Sequence, residues 1–388
     1  MLRRAHDDVE RYYYDPSFHG IDLKTQLAKS ERRLEAAATL ADAFAIVSEF
    51  LSGLDDSHTA FVPPTAGRAV DYGWQMSMVG DRALITEVDP ASDAAAHGLS
   101  PGDRVLLLNG DTPSRANATR LGYYYRYIRP QAHQRVAVLK PDGSAATVDV
   151  ASRPRGSAII DDGVVLSDLN ELVARGRDRG AAIGDAVLIW KMAVFARPES
   201  VDEMMTRAAH QRTLVLDLRG NGGGSVSALQ ELVSRTFNHE VVVAVETRRD
   251  GRSRRTIARA GKNPFSGRLV VLVDSRSASA AEMFARIVQI EKRGLVLGDR
   301  TTGAVMRSRM LPHQAGSATS AAFYGTSVTV AEVRMSDGGS LEKIGVEPDE
   351  IVLPTQGDLA AGRDPLLAHA IELAGARVTP EEAGRLFK

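Results

Sequence analysis

The chain has 388 residues, 44% of them hydrophobic, and a formal net charge of -1. That length allows two or three domains with real cores, and the near-neutral charge gives no general pull toward nucleic acid or a membrane surface. Cysteine is absent, which excludes disulfides, thiol catalysis and cysteine-ligated metals, and no apolar run reaches the length of a membrane span.

Residues 1–64 read as helical. Leu23 to Leu54 places apolar residues at three- and four-residue spacings among charges, and the alanine-rich stretch from Leu34 to Phe44 favours helix throughout. The start, Met1-Leu-Arg-Arg-Ala-His6, lacks an apolar leader segment. The expected compartment is therefore cytoplasmic, or exported if a leader was removed. Past the last helix comes Gly53-Leu-Asp-Asp-Ser-His-Thr-Ala-Phe61, which sets His58 behind Ser57 and two carboxylates. Imidazole titrates near neutrality and suits a general base, although nine histidines are present and most such residues are structural.

Residues 65–154 form a separate module in which Ala83 to Val88, Ser92 to Leu99 and Pro101 to Gly110 alternate strand, short helix and strand. These segments resemble a PDZ domain, a fold that binds extended chain ends by strand addition and holds the terminal carboxylate in a backbone nest. Tyr72-Gly-Trp-Gln75 falls where that carboxylate loop would lie, but departs from the usual small-apolar pattern. A β module that only shields a site is the plainer reading. Lys140-Pro-Asp-Gly143 fits a turn between strands, and Arg153-Pro-Arg-Gly156 marks a linker into the remainder, 155–388.

In that remainder Ala186 to Trp190, Thr213 to Leu218, Leu269 to Val273 and Gly294 to Leu297 are apolar strands separated by helical stretches, the pattern of a layered α/β fold. Ser200 and Glu203 have capping-box spacing. The strand from Thr213 runs into Asp217-Leu-Arg-Gly-Asn-Gly-Gly-Gly224, where glycines let backbone crowd a ligand. The run lacks the ending of a P-loop, so an N–H donor for an oxyanion fits better than a phosphate cradle. Arg248 to Arg255 is a local basic run, read as a solvated hairpin.

The strand from Val271 then delivers Ser277-Ala-Ser-Ala-Ala-Glu282 onto a helix start. A serine there lies beside unpaired N–H groups that favour negative charge, although serines at helix starts are more often plain caps. Ser275 and Ser277, four and two positions before Ser279, leave the register open.

Together these pieces resemble the serine peptidase family of tail-specific and carboxy-terminal processing proteases, whose marks are Asp-Leu-Arg-x-Asn-x-Gly-Gly and Ser-Ala-Ser-Ala-x-Glu. Gly298-Asp-Arg-Thr-Thr-Gly303 and Glu342-Lys-Ile-Gly-Val-Glu-Pro-Asp349 extend the likeness, in the family's order, over nearly the whole chain. The processing branch places a lysine base in Gly-Lys-Gly, where this chain reads Gly303-Ala304-Val305, and neither Lys292 nor Lys343 sits in that motif. The tricorn-core-like branch uses a Ser-His pair from the amino-terminal region, which Ser57-His58 matches.

The resemblance thus implies a crotonase-like β/α spiral core and peptide hydrolysis through an acyl-enzyme. Ser279 is the implied nucleophile, His58 the general base, Ser57 its orienting group and Glu342 the acidic member, with Glu332, Asp337 and Glu347 as rivals for the last role. Ala280 and Gly223 or Gly224 would supply oxyanion donors. Asp217 and Glu282 read as structural. No metal or organic cofactor is implied, and the partners would be polypeptides with accessible, possibly carboxy-terminal, ends. A catalytically silent ligand- or peptide-binding protein of the same fold is the alternative, and an acyl-CoA enzyme of the related fold the third.

Overall fold

The computed structural model describes residues 1–64, 69–154, 178–317 and 320–387. The expected module boundary at 64/65 and the Arg155 and Gly156 of the expected linker adjoin or lie outside these residues. No described helix is long and apolar enough to cross a membrane.

The amino-terminal region contains helices α1 (Leu2–Tyr12), α2 (Leu23–Glu35) and α3 (Leu40–Ser52). The alanine-rich stretch is not one continuous helix. Thr39 and Asp42 form a reciprocal capping box, each side chain accepting the other's backbone N–H, and this starts α3 afresh. After α3 the chain turns through His58, past the last helix as the sequence indicates, into a short strand, β1 (Ala60–Val62), which the helical reading of 1–64 did not include.

Next come β2 (Val70–Asp71), then the module strands β3 (Trp74–Val79) and β4 (Arg82–Val88), helix α4 (Asp93–Ala96), β5 (Arg104–Leu108), α5 (Ala118–Tyr123), β6 (His133–Leu139) and β7 (Ala145–Ala151). Strands β3 to β7 pair in sequence order as an antiparallel sheet, with β3 at one edge. The turn at Lys140 to Gly143 joins β6 to β7 as the sequence indicates, and β8 (Arg153–Pro154) pairs with β2.

The core begins with β9 (Arg179–Ile183), β10 (Val187–Lys191), α6 (Pro198–Ala208), β11 (Thr213–Asp217), α7 (Val226–Ser234), β12 (Val241–Arg248) and β13 (Ser253–Ala258). It continues with β14 (Arg268–Val273), α8 (Ala280–Ile290), β15 (Leu295–Gly298), β16 (Met306–Ser317), β17 (Ser320–Arg334), β18 (Glu350–Ile351), α9 (Gln356–Ala360) and α10 (Pro365–Leu373). The capping box read at Ser200 is not there. Helix α6 starts earlier, with Pro198 in its first turn, where a missing N–H costs nothing.

Six strands form the main sheet in the order β18-β15-β14-β11-β10-β9, parallel except for the β9 edge. Trp190, Leu216 and Val271 pack with α6, α7 and α8 on one face, while Ile189, Val215, Leu272 and α10 fill the other. Burial on both faces explains why these strands read as unbroken apolar runs. The fold is mixed α/β, and the loops carrying Asn221 and Ser279 leave the same ends of β11 and β14, as open parallel sheets arrange their sites. A second, antiparallel sheet runs β1-β17-β12-β13, with β16 also paired to β17. Pairing of Ala60 with Ser327 and Val62 with Gly325 brings the chain just after His58 onto the core.

Candidate active site

Ser279 sits at the N-cap of α8 with φ 54° and ψ -116°, a region an L-residue enters only at a steric cost of about 1–3 kcal/mol. Its backbone N–H is held twice, by Ala304 O at 3.1 Å and by Glu282 Oε2 at 3.0 Å. The rival serines are committed elsewhere. Ser275 Oγ donates to Met78 O at 2.6 Å and Ser277 Oγ to Leu218 O at 2.8 Å, which leaves Ser279 as the serine of this turn with no carbonyl claiming its hydroxyl among the described residues.

The glycine run packs directly on this turn. A Cβ at Gly223 would lie 2.6 Å from Ser279 Cβ and 3.1 Å from Ala280 N, and one at Gly224 would lie 2.3 Å from Phe195 O. Both glycines have positive φ, so no other residue fits easily. Asn221, fully buried, fixes the loop: its Oδ1 accepts Gly223 N–H at 2.9 Å, its Nδ2 donates to Met192 O at 3.0 Å, and its carbonyl accepts Ala278 N–H at 2.9 Å. The Gly223 N–H is therefore spoken for. Those of Gly224 and Ala280 have no acceptor among the described residues.

Below the loop, Asp217 is fully buried and Arg219 grips it with two guanidinium hydrogen bonds at 2.8 and 2.9 Å, while two more reach Asp364 at 2.8 and 2.9 Å. Burial pushes the Asp217 carboxyl up, but the Arg219 and Lys191 charges beside it prevail and hold it well below the ordinary carboxylate range. This agrees with the structural reading of Asp217.

Glu342 joins the amino-terminal segment to the core. Its Oε1 accepts Ser57 N–H at 2.8 Å, and its Oε2 accepts Ser57 Oγ–H at 2.8 Å and Val305 N–H at 3.0 Å. Ser57 Oγ also lies 2.6 Å from His58 Nδ1. A hydroxyl has one proton, and the ionised carboxylate can only accept, so Ser57 gives its proton to Glu342 and receives one from His58 Nδ1–H. The tautomer this assigns leaves Nε2 as the bare, basic nitrogen. Asp56 secures the turn, its Oδ1 accepting His58 N–H at 2.9 Å, Thr59 N–H at 2.7 Å and Thr329 Oγ1–H at 2.6 Å.

The electrostatics follow from this burial. Burial lowers the His58 pKa from its ordinary value, and the Asp56 charge restores part of it. Burial raises Glu342, against the pull of the Ser57 and Val305 hydrogen bonds. Glu282, wholly inaccessible, is raised by burial and held back by four donors: Thr301 Oγ1 at 2.5 Å, Ala304 N at 2.9 Å, Gly303 N at 2.7 Å and Ser279 N.

Sequence reasoning took Glu282 for an ordinary capping or packing carboxylate; it clamps the loop 301–304 to the Ser279 turn. The reciprocal spacing from Ser279 to Glu282 was its signal. Asp56, Asn221 and Thr301 were not singled out, although an Asp two residues before His58 is the mark of an Asx turn. Glu332 and Asp337 are paired with arginines instead of facing Ser57. Ser279 and His58 are linked only indirectly, through Ala304, Val305, Glu342 and Ser57. No direct hydrogen bond joins them among the described residues, and such pairs are often loose without substrate. Among those residues no cluster of three or more His, Asp or Glu could hold a metal ion.

Residues 187–352 match the profile of peptidase family S41. The chain is 28% identical over 371 residues to the chloroplastic C-terminal processing peptidase of Tetradesmus obliquus, covering 89% of this chain and 76% of that protein. It is 26% identical to a carboxyl-terminal-processing protease of Picosynechococcus, covering 91% of this chain and 82% of the other. Among solved structures, mature CPAF superposes with a TM-score of 0.67 at 14% identity, over 92% of this chain and 94% of that one, a likeness of fold.

Proposed function

We propose that this chain, a serine-type peptidase whose residues 187–352 are a peptidase family S41 domain, cleaves polypeptides through an acyl-enzyme on Ser279. The observation that carries the reading is the Glu342 carboxylate, which ties Ser57, and through it His58, to the segment that holds Ser279.

In this mechanism His58 Nε2 takes the Ser279 Oγ proton as Oγ attacks the scissile carbonyl carbon, then returns it to the leaving amine. Ser57 Oγ and Glu342 stabilise the imidazolium that forms between these steps. The tetrahedral oxyanion lies at the start of α8, where the Ala280 and Gly224 N–H groups are unengaged. Gly223 contributes close approach, since its own N–H serves Asn221. Water activated by His58 then releases the acyl group. With Ala304 in the lysine position, the base follows the tricorn-core-like pattern.

Residues 69–154 are read as a PDZ-like module that captures chain ends, and the core as a crotonase-like spiral. The module reading is supported by its edge strand β3, which reaches the catalytic turn through Ser275 to Met78 O and Arg276 to Gln75. The test is a serine-directed fluorophosphonate probe. Wild type should be labelled, and Ser279→Ala and folded His58→Ala should not; labelling that persists in either variant rejects its assignment.

A further inference from the structure

The basic run between Arg248 and Arg255 forms a solvated hairpin, β12 to β13, as the sequence indicates, with Arg248, Arg254 and Arg255 exposed. With Arg307 from β16 they wall a cavity of about 340 Å³. Arg248, Arg254, Arg255 and Arg307 are all on its lining, and Glu246, directly across the strand pair from Arg254, is the single carboxylate there. No ion pair or side-chain hydrogen bond engages these four arginines among the described residues. Elsewhere the chain pairs its arginines freely, as at Arg115 with Asp299, Arg153 with Asp71 and Asp89, and Arg286 with Asp337. Clustered unpaired cations repel one another, and an anion brought among them relieves that repulsion.

The cavity adjoins the catalytic turn through the chain itself. Val226, on its wall, is the second residue after Gly224, so their Cα atoms lie within about 7 Å. Arg307 follows Ala304 by three residues, within about 11 Å along an extended chain. Gln230 Nε2 donates to Ile257 O at 2.8 Å and fastens α7 to the arginine hairpin.

We infer that this arginine cavity is a substrate subsite for carboxylate side chains, so that the enzyme selects acidic polypeptide segments beside the scissile bond. The inference rests on the peptidase reading for its product, but not for the binding itself. Guanidinium forks match carboxylates in two-point geometry, which a lysine cannot reproduce.

Binding is measured by fluorescence anisotropy on full-length Ser279→Ala, with a glutamate-rich peptide and its glutamine counterpart. The acidic peptide should bind about tenfold more tightly at low salt, with the preference shrinking at high salt. Adding Arg254→Ala and Arg307→Ala should bring the ratio to within about twofold, while the double lysine variant should keep an intermediate preference. Thermal melts confirm that each variant is folded. Internally quenched versions of both peptides then report turnover by the chain with Ser279 intact.

Preferential binding without cleavage of either peptide leaves the subsite standing and the peptidase reading fallen. Equal binding and equal cleavage do the reverse. A preference that survives the double alanine variant overturns the subsite, as does single-stranded DNA binding more tightly than the acidic peptide and being lost in the same variant.

Discussion

Glu342 Oε2 accepts the Ser57 hydroxyl at 2.8 Å across 285 positions of sequence, and the same carboxylate receives two backbone N–H groups. A glutamine has one acceptor oxygen for these three donors, so Glu342→Gln must turn an NH2 toward Ser57 or Val305. With the NH2 in the Oε2 place, Ser57 gives its proton to His58 Nδ1 and the imidazole proton moves to the nitrogen that should act as base; in either orientation the neutral amide no longer stabilises the imidazolium. Loss of the correct tautomer is expected to lower kcat by about 100-fold or more, with KM little changed. Steady-state kinetics on one peptide substrate decide it, and an unchanged kcat removes Glu342 from the catalytic set.

The acid limb of activity should fall below the ordinary histidine value. Burial lowers the His58 pKa from 6.5, so the base stays unprotonated at more acidic pH. Burial also raises Glu342 from 4.5, and its protonation breaks the relay through Ser57. As pH falls, protonation of His58 removes kcat/KM below 6.5, and protonation of Glu342, shifted above 4.5, adds to that loss. The expected change in Asp56→Asn is a further downward move of the limb, because removing that negative charge removes what opposes the desolvation of the imidazole. A limb centred above 6.5 contradicts the burial of His58.

Glu282 gathers four donors in a site closed to water, and Glu282→Gln can satisfy at most two of them. Each buried donor left alone costs about 1–3 kcal/mol, so the variant should lose roughly 2–6 kcal/mol of stability in urea unfolding. Fluorophosphonate labelling should slow alongside, since the Ser279 N–H and the loop 301–304 lose their common tether. A variant as stable as wild type argues that the clamp is dispensable.

Asp217→Asn should show the other kind of buried carboxylate. Arg219 keeps Asp364 but loses its inner partner, and an uncompensated buried charge costs about 3–5 kcal/mol, less here because Asp364 remains. The sign with pH follows from the lowered pKa. The unfolded chain takes up the proton first, so the wild type's advantage is present above 3.8 and lost as pH falls below it. Urea unfolding at a series of pH values should show the two proteins converging in acid.

Strands β10, β11, β14 and β15 were legible because burial on both faces writes itself as a continuous apolar run. The Ser279 turn was legible because strand, serine and helix signals are adjacent in sequence. Register among Ser275, Ser277 and Ser279 was not, since it depends on which carbonyls, Met78 O and Leu218 O, lie above the loop. The choice of Glu342 over Glu332 likewise depends on contacts hundreds of positions away. The arginine hairpin was recognised as a hairpin; that Arg307 lines the same cavity is a matter of β16 pairing with β17 and leaves no local mark.

Ser279→Gly and Ser279→Ala both remove the hydroxyl, but only glycine relieves φ 54°. That backbone costs a side-chain-bearing residue about 1–3 kcal/mol, and alanine keeps the Cβ that causes it. Glycine also loosens the unfolded chain, which takes back up to about 1 kcal/mol. The glycine variant should therefore be more stable than the alanine variant by about 1 kcal/mol in chemical denaturation, and neither should be labelled. Such a gap would mean that part of the fold's stability is given up to hold a hydroxyl outward at the start of α8, beside the unengaged N–H groups of Ala280 and Gly224. If alanine is the more stable, the turn is relaxed and its positive φ has no bearing on reactivity.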